Sequence, residues 1–101
     1  MEKKLYENQV IFSITEGLTA NYVQSFQQFL EKELPEANEF EEFVLDLQQN
    51  SRIDSTGVTF VINVYKKIKA MNKTFSVIGA NEDVQNLFCL MKLDKFFTMK
   101  N

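Results

Sequence analysis

Three times along the chain a short apolar run gives way to a segment whose apolar residues recur every three or four positions, and this repeated change of period most limits the folds available. Val10-Ile11-Phe12-Ser13-Ile14 is β-branched and aromatic, ends at Glu16-Gly17, and reads as a strand followed by a turn. Tyr22, Val23, Phe26, Phe29, Leu30 and Leu34 then predict an amphipathic helix over 20–33, with Thr19 or Asn21 as its N-cap and Pro35 as its stop. The acidic, turn-rich stretch 33–42 reads as a solvated loop, and Phe43 to Leu47 as a buried strand. After a polar loop over 48–52, Val58, Val61, Ile62, Tyr65, Ile68 and Met71 mark a second helix. Lys66, Lys67 and Lys69 fall in its last turns, where cations suit the helix dipole. Thr74 to Ile78 predicts a third strand, closed by Gly79. Asn81-Glu82-Asp83 caps a third helix with Val84, Leu87, Phe88 and Met91 on its apolar face. Residues 95–99 read either as a last short strand or as a packed tail.

Strand and helix alternating at such short spacing is the pattern of successive right-handed crossovers. The predicted class is therefore α/β, with a small, mostly parallel or mixed sheet and helices packed against it. A chain of 101 residues can bury one core but not two, so residues 1–101 are expected to form a single domain. With 45% hydrophobic residues and ten Phe against three Gly and one Pro, a disordered or fibrous chain is excluded.

Eleven basic side chains against fourteen acidic ones give a net charge of -3, and the lysines form no basic face, so nucleic acid is not an expected partner. No run approaches the roughly 20 apolar residues of a membrane span. The expected location is cytoplasmic, without direct membrane contact. Lone Cys89 has no internal disulfide partner, and its place among Val84, Leu87, Phe88 and Met91 predicts a small core residue and not a nucleophile. The absence of His removes the usual general base and the common zinc ligand, and neither metal nor cofactor is expected.

Asp54-Ser55-Thr56-Gly57 stands where the second helix begins, and it has two readings. In one, Asp54 or Ser55 is an N-cap and Gly57 lets the first turn sit close to a neighbour. In the other, the helix start tolerates negative charge, so a phosphate on Ser55 leaves the fold intact and acts on a surface that a partner covers. A serine nucleophile would need a nearby base and an oxyanion hole, and this is not the Gly-x-Ser-x-Gly elbow. The Asp-Ser/Thr-Gly of aspartic proteases differs by an inserted residue and by the helix that follows here. The chain is not expected to be an enzyme.

The run Ile53-Asp54-Ser55-Thr56-Gly57-Val58, the helix to Met71, Lys73 to Ile78, and Val84-Gln85-Asn86-Leu87-Phe88 through Leu93-Asp94-Lys95-Phe96-Phe97 closely resemble the STAS domain of bacterial anti-sigma-factor antagonists. The resemblance keeps order and spacing over nearly the whole chain. It implies that Ser55, or secondarily Thr56, is phosphorylated by a partner that is both anti-sigma factor and serine kinase, that a phosphatase resets it, and that only the unphosphorylated form binds that partner. The implied contact surface is the loop from Gln48 to Asp54, Gly57, Val58 and Thr59 in the helix, and the loop from Gly17 to Thr19. One departure stands out. Many family members carry Gly-Glu-Leu/Ile-Asp after the first long strand, with the Asp meeting the kinase, whereas this chain reads Thr15-Glu16-Gly17-Leu18-Thr19, with Thr19 in place of the Asp. The alternative implied by the family is a STAS subunit of a membrane transport or lipid-handling complex that is not phosphorylated. Oligomeric state and the identity of the sigma factor stay open at this level.

Overall fold

Parallel strands joined by right-handed crossovers that all step in one direction place every crossover helix on the same side of the sheet. The computed structural model, which describes residues 1–50 and 52–100, has this arrangement. Five strands, β1 (Glu2–Tyr6), β2 (Gln9–Ser13), β3 (Glu42–Asp46), β4 (Thr74–Ile78) and β5 (Thr98–Lys100), lie in the order β1-β2-β3-β4-β5. The three helices are α1 (Ala20–Glu33), α2 (Ser55–Ala70) and α3 (Glu82–Leu90), with short 3-10 turns at Ala37–Glu39 and Leu93–Lys95. β1 is antiparallel to β2 and every other pairing is parallel, so the sheet is mixed and the class is α/β.

Alternation along the strands sorts the two faces. Val10 and Phe12, Phe43 and Leu45, and Phe75 and Val77 are buried beneath the helices. Phe12, Phe43 and Phe75 stack in a row across β2, β3 and β4, with ring centroids 5.1 and 5.5 Å apart. Val23, Phe26 and Leu30 of α1 and Phe60, Val61, Val64 and Ile68 of α2 close over them. Removing one such ring costs about 3–5 kcal/mol, because lost transfer energy and a cavity add. The other face carries Gln9, Ser13, Glu42, Asp46 and Ser76. There Gln9 Nε2 and Ser76 Oγ donate to the Glu42 carboxylate, and Ser13 Oγ donates to Asp46.

Three features differ from the sequence expectation or go beyond it. β1 pairs with β2 across the two-residue turn Glu7-Asn8, with Glu7 at φ 56°, and its charged, mostly exposed pattern hid it from periodicity. The C-terminal segment ends as a strand, with Met99 beside Val77. The apolar face assigned to α3 is only half covered. Val84 and Phe88 are buried, but Met91 is 45% exposed, and Cys89, expected in the core, is exposed. The reason is angular: Cys89 lies about 100° round the helix from Phe88, off the narrow buried line of Val84 and Phe88, whose ring meets Phe97 edge-on at 6.0 Å.

Candidate functional site

The loops that leave the C-terminal ends of β2 and β3 are stitched into one unit. Leu18 N–H donates to Arg52 O at 2.8 Å, and Asp54 N–H donates to Leu18 O at 3.1 Å, which forms a parallel bridge between Leu18 and Ile53. Asn50, only 4% exposed, donates from Nδ2 to Glu16 O at 3.3 Å and adds a third tie. Ser51 lies outside the described residues. Leu18 is fully buried and anchors the pair in the core.

Against this bridge sits the first turn of α2. A Cβ on Gly57 would lie 1.9 Å from Leu18 O, so only glycine lets the helix approach the loop. Asp54 is the N-cap of α2, its Oδ1 accepting from Gly57 N–H at 2.9 Å. Its Oδ2 accepts from Ala20 N–H at 3.0 Å, at the start of α1. One carboxylate thus caps two helices. Thr19 occupies the N-cap position of α1, yet its side chain makes no capping bond, and Asn21 lies inside the helix. The Ala20 amide, then the Gly57 amide, hold the Asp54 carboxyl below its ordinary value of 3.8.

Ser55 is the first residue of α2 and is exposed, and its hydroxyl has no hydrogen-bond partner among the described residues. Thr56 and Thr59 are also exposed, with Thr59 Oγ1 donating to Ser55 O at 3.0 Å. Asp54 and Thr19 are half-buried, while Gly57 and Val58 are buried. The fold therefore brings together Thr19, Asp54, Ser55 and Thr56 at one end of the molecule, with Gly57 and Val58 just beneath them. Both Asp54 oxygens are engaged by amides and its basicity is depressed, so it is a poor base for Ser55. What remains is an exposed hydroxyl at a helix N-terminus with no hydrogen-bond partner among the described residues.

Two hollows flank this end. One, of 410 Å³, lies beside Thr19, Tyr22, Arg52 and Asp54. The other, of 420 Å³, lies between α2 and α3 and includes Ser55, Val58, Ile62, Leu87 and Met91. The sequence puts Ile62, Leu87 and Met91 on the apolar faces of their helices, and of these Ile62 and Leu87 pack half-buried against the core while Met91 is exposed; it puts Leu18 and Asn50 in the two loops of the site but does not reveal that they tie those loops together. A buried apolar residue and a polar loop residue carry no pattern that marks them.

The STAS domain family matches residues 1–101, and the chain belongs to that family. Among solved structures it is similar to a candidate anti-sigma factor antagonist from Thermotoga maritima, at 22% identity and TM-score 0.88, covering 99% of this chain and 85% of that one. It is also similar to phosphorylated SpoIIAA, a cell fate determinant of Bacillus, at 12% identity and TM-score 0.72, covering 99% and 90%. A third likeness is to the murine anion transporter Slc26a9, at 14% identity and TM-score 0.78, covering 91% of this chain and 15% of the transporter. At these identities the likeness is one of fold. No curated protein matches the sequence.

Proposed function

We propose that this STAS domain is an anti-sigma-factor antagonist switched by phosphorylation of Ser55. The carrying observation is the exposed, unpartnered Ser55 hydroxyl at the first position of α2, beside a carboxylate unsuited to activate it. The unphosphorylated protein binds an anti-sigma factor that is also a serine kinase, through the loop of residues 48–54, the first turns of α2 and the loop of residues 17–19. The kinase brings the nucleotide, and this chain brings only the acceptor.

A phosphate on Ser55 adds nearly two negative charges at a helix start, where the dipole tolerates them. It also lies next to the Asp54 carboxylate and the apolar side chains of Ile53 and Val58, so a partner seated there would have to desolvate a dianion. The fold persists and the complex separates. A phosphatase restores binding.

The experiment compares unmodified protein, Ser55→Ala and Ser55→Asp for binding to the serine kinase of the same host. Ser55→Asp is expected to bind at least about ten-fold more weakly, equivalent to about 1.4 kcal/mol, and Ser55→Ala to bind persistently in the presence of ATP. Equal affinity of all three would refute the switch. The likeness to the transporter structure favours a second reading, a STAS subunit that is never phosphorylated; recovery with membrane transport subunits in place of a soluble kinase would support it.

A further inference from the structure

The hollow between α2 and α3 is a groove with apolar walls. Ile53, Val58, Ile62, Leu87 and Met91 line it, with Ser55 at one end. Met91 is 45% and the adjacent Leu90 is 81% exposed, so the apolar surface runs on over the outer side of α3. Continuous apolar surface rimmed by charge is the mark of a docking site.

The rim charges are ordered. Both helices return from parallel strands in the same sense, so their N-terminal ends adjoin. Asp54 and Asp83 stand at that end, with Arg52 beside them. At the opposite end Lys66 and Lys69 continue the line of Ser55, Thr59 and Ile62 along one face of α2. Asp83, Lys66 and Lys69 are in no ion pair among the described residues. From Ser55 to Lys69 the face runs about 21 Å, at about 1.5 Å per residue.

We infer that this groove receives an amphipathic helix of a partner protein, lying antiparallel to α2 and α3, with aliphatic side chains in the groove, an acidic first turn over Lys66 and Lys69, and a basic last turn over Asp54 and Asp83. A helix with acidic first and basic last turns is the kind its own dipole favours. Seated this way, its dipole also opposes those of α2 and α3. A second copy of this chain fits worse, because laying groove on groove leaves a void where a convex helix would fill the space. The inference rests on the proposed function only in taking the Ser55 end as a face that partners meet; the helix belongs to a partner other than the kinase, because a phosphate on Ser55 would hold its basic last turn and not release it.

The test uses the full chain with labelled methyl groups. The probe is a synthetic helix of about four turns, with leucines at i, i+3, i+4 and i+7, two glutamates in its first turn and two lysines in its last. Methyl signals of Val58, Ile62, Leu87 and Met91 are expected to shift on titration, while those of Val10 and Val77 in the core stay fixed. Lys66→Glu with Lys69→Glu, on an exposed final turn, is expected to weaken the probe by at least about five-fold. Ile62→Asp is expected to abolish the shifts; should it fail to fold, the lysine double variant carries the test alone. Absence of shifts, or affinity insensitive to charge reversal, overturns the inference. So does a sedimenting dimer that Ile62→Asp dissociates, which would make a second copy the occupant. Unchanged kinase affinity in the Ser55 variants would remove the phosphorylation switch and leave the probe result standing.

Discussion

Gly57→Ala separates local propensity from tertiary geometry by sign. Gly57 is a helical position, and alanine there gains up to about 1 kcal/mol in intrinsic propensity. The new methyl, however, would lie 1.9 Å from Leu18 O, where real contacts stay beyond 3.0 Å, so loop and helix must part by about 1 Å. Displacement on that scale costs about 1–3 kcal/mol as overpacking. It also strains the bonds from Leu18 N–H to Arg52 O and from Asp54 N–H to Leu18 O, each contributing about 0.5–1.5 kcal/mol. After the propensity gain, the net expectation is a loss of about 2–4 kcal/mol, or about 10–30 °C in melting midpoint for a domain of this size. Urea unfolding followed by circular dichroism, at constant m-value, measures it. A variant as stable as the parent, or more stable, would show that the loop yields freely and that the bridge does not fix the site.

Acid titration reads the double cap. The folded Asp54 carboxyl lies below 3.8, so its contribution to stability is present above that value and fades as pH falls through the lower folded one. Wild type is therefore expected to exceed Asp54→Asn in unfolding midpoint near neutral pH and to converge with it as pH falls through the lowered folded value, whereas a gap constant with pH would count against a charged cap. Ser55→Asp should leave the melting temperature unchanged within about 2 °C, since the charge sits at a favourable helix end, and clear destabilisation would show that the site acts through folding. Gly79→Ala should destabilise in thermal melts, because Gly79 has φ +71° and its Cβ would lie 2.9 Å from the Gln48 backbone. Cys89 should react with a thiol reagent in the folded protein as fast as in urea, and full protection would contradict its exposure.

The two periods in the sequence made most of the fold legible: β2, β3 and β4 are short β-branched or aromatic runs, and the apolar spacing of α1 and α2 matches what they bury. β1 escaped because an edge strand of Glu and Lys hides no face, and α3 misled because a nine-residue helix at the margin of the layer covers only two of its apolar positions. At the site, the motif located Asp54 and Ser55, and the need for a close approach at Gly57 was readable from the glycine alone. The second hydrogen bond of Asp54, to Ala20, was not, since it joins residues 34 apart through the Leu18 bridge.

The central claim is that Ser55 is a phosphate acceptor in the cell. Intact-mass measurement of the protein from its native host, before and after phosphatase treatment, with mapping of the modified peptide, tests it most directly. A phosphatase-sensitive fraction heavier by one phosphate, about 80 Da, carried on Ser55 is the expected result. A chain that stays unmodified under every growth condition, or carries its phosphate elsewhere, would contradict it.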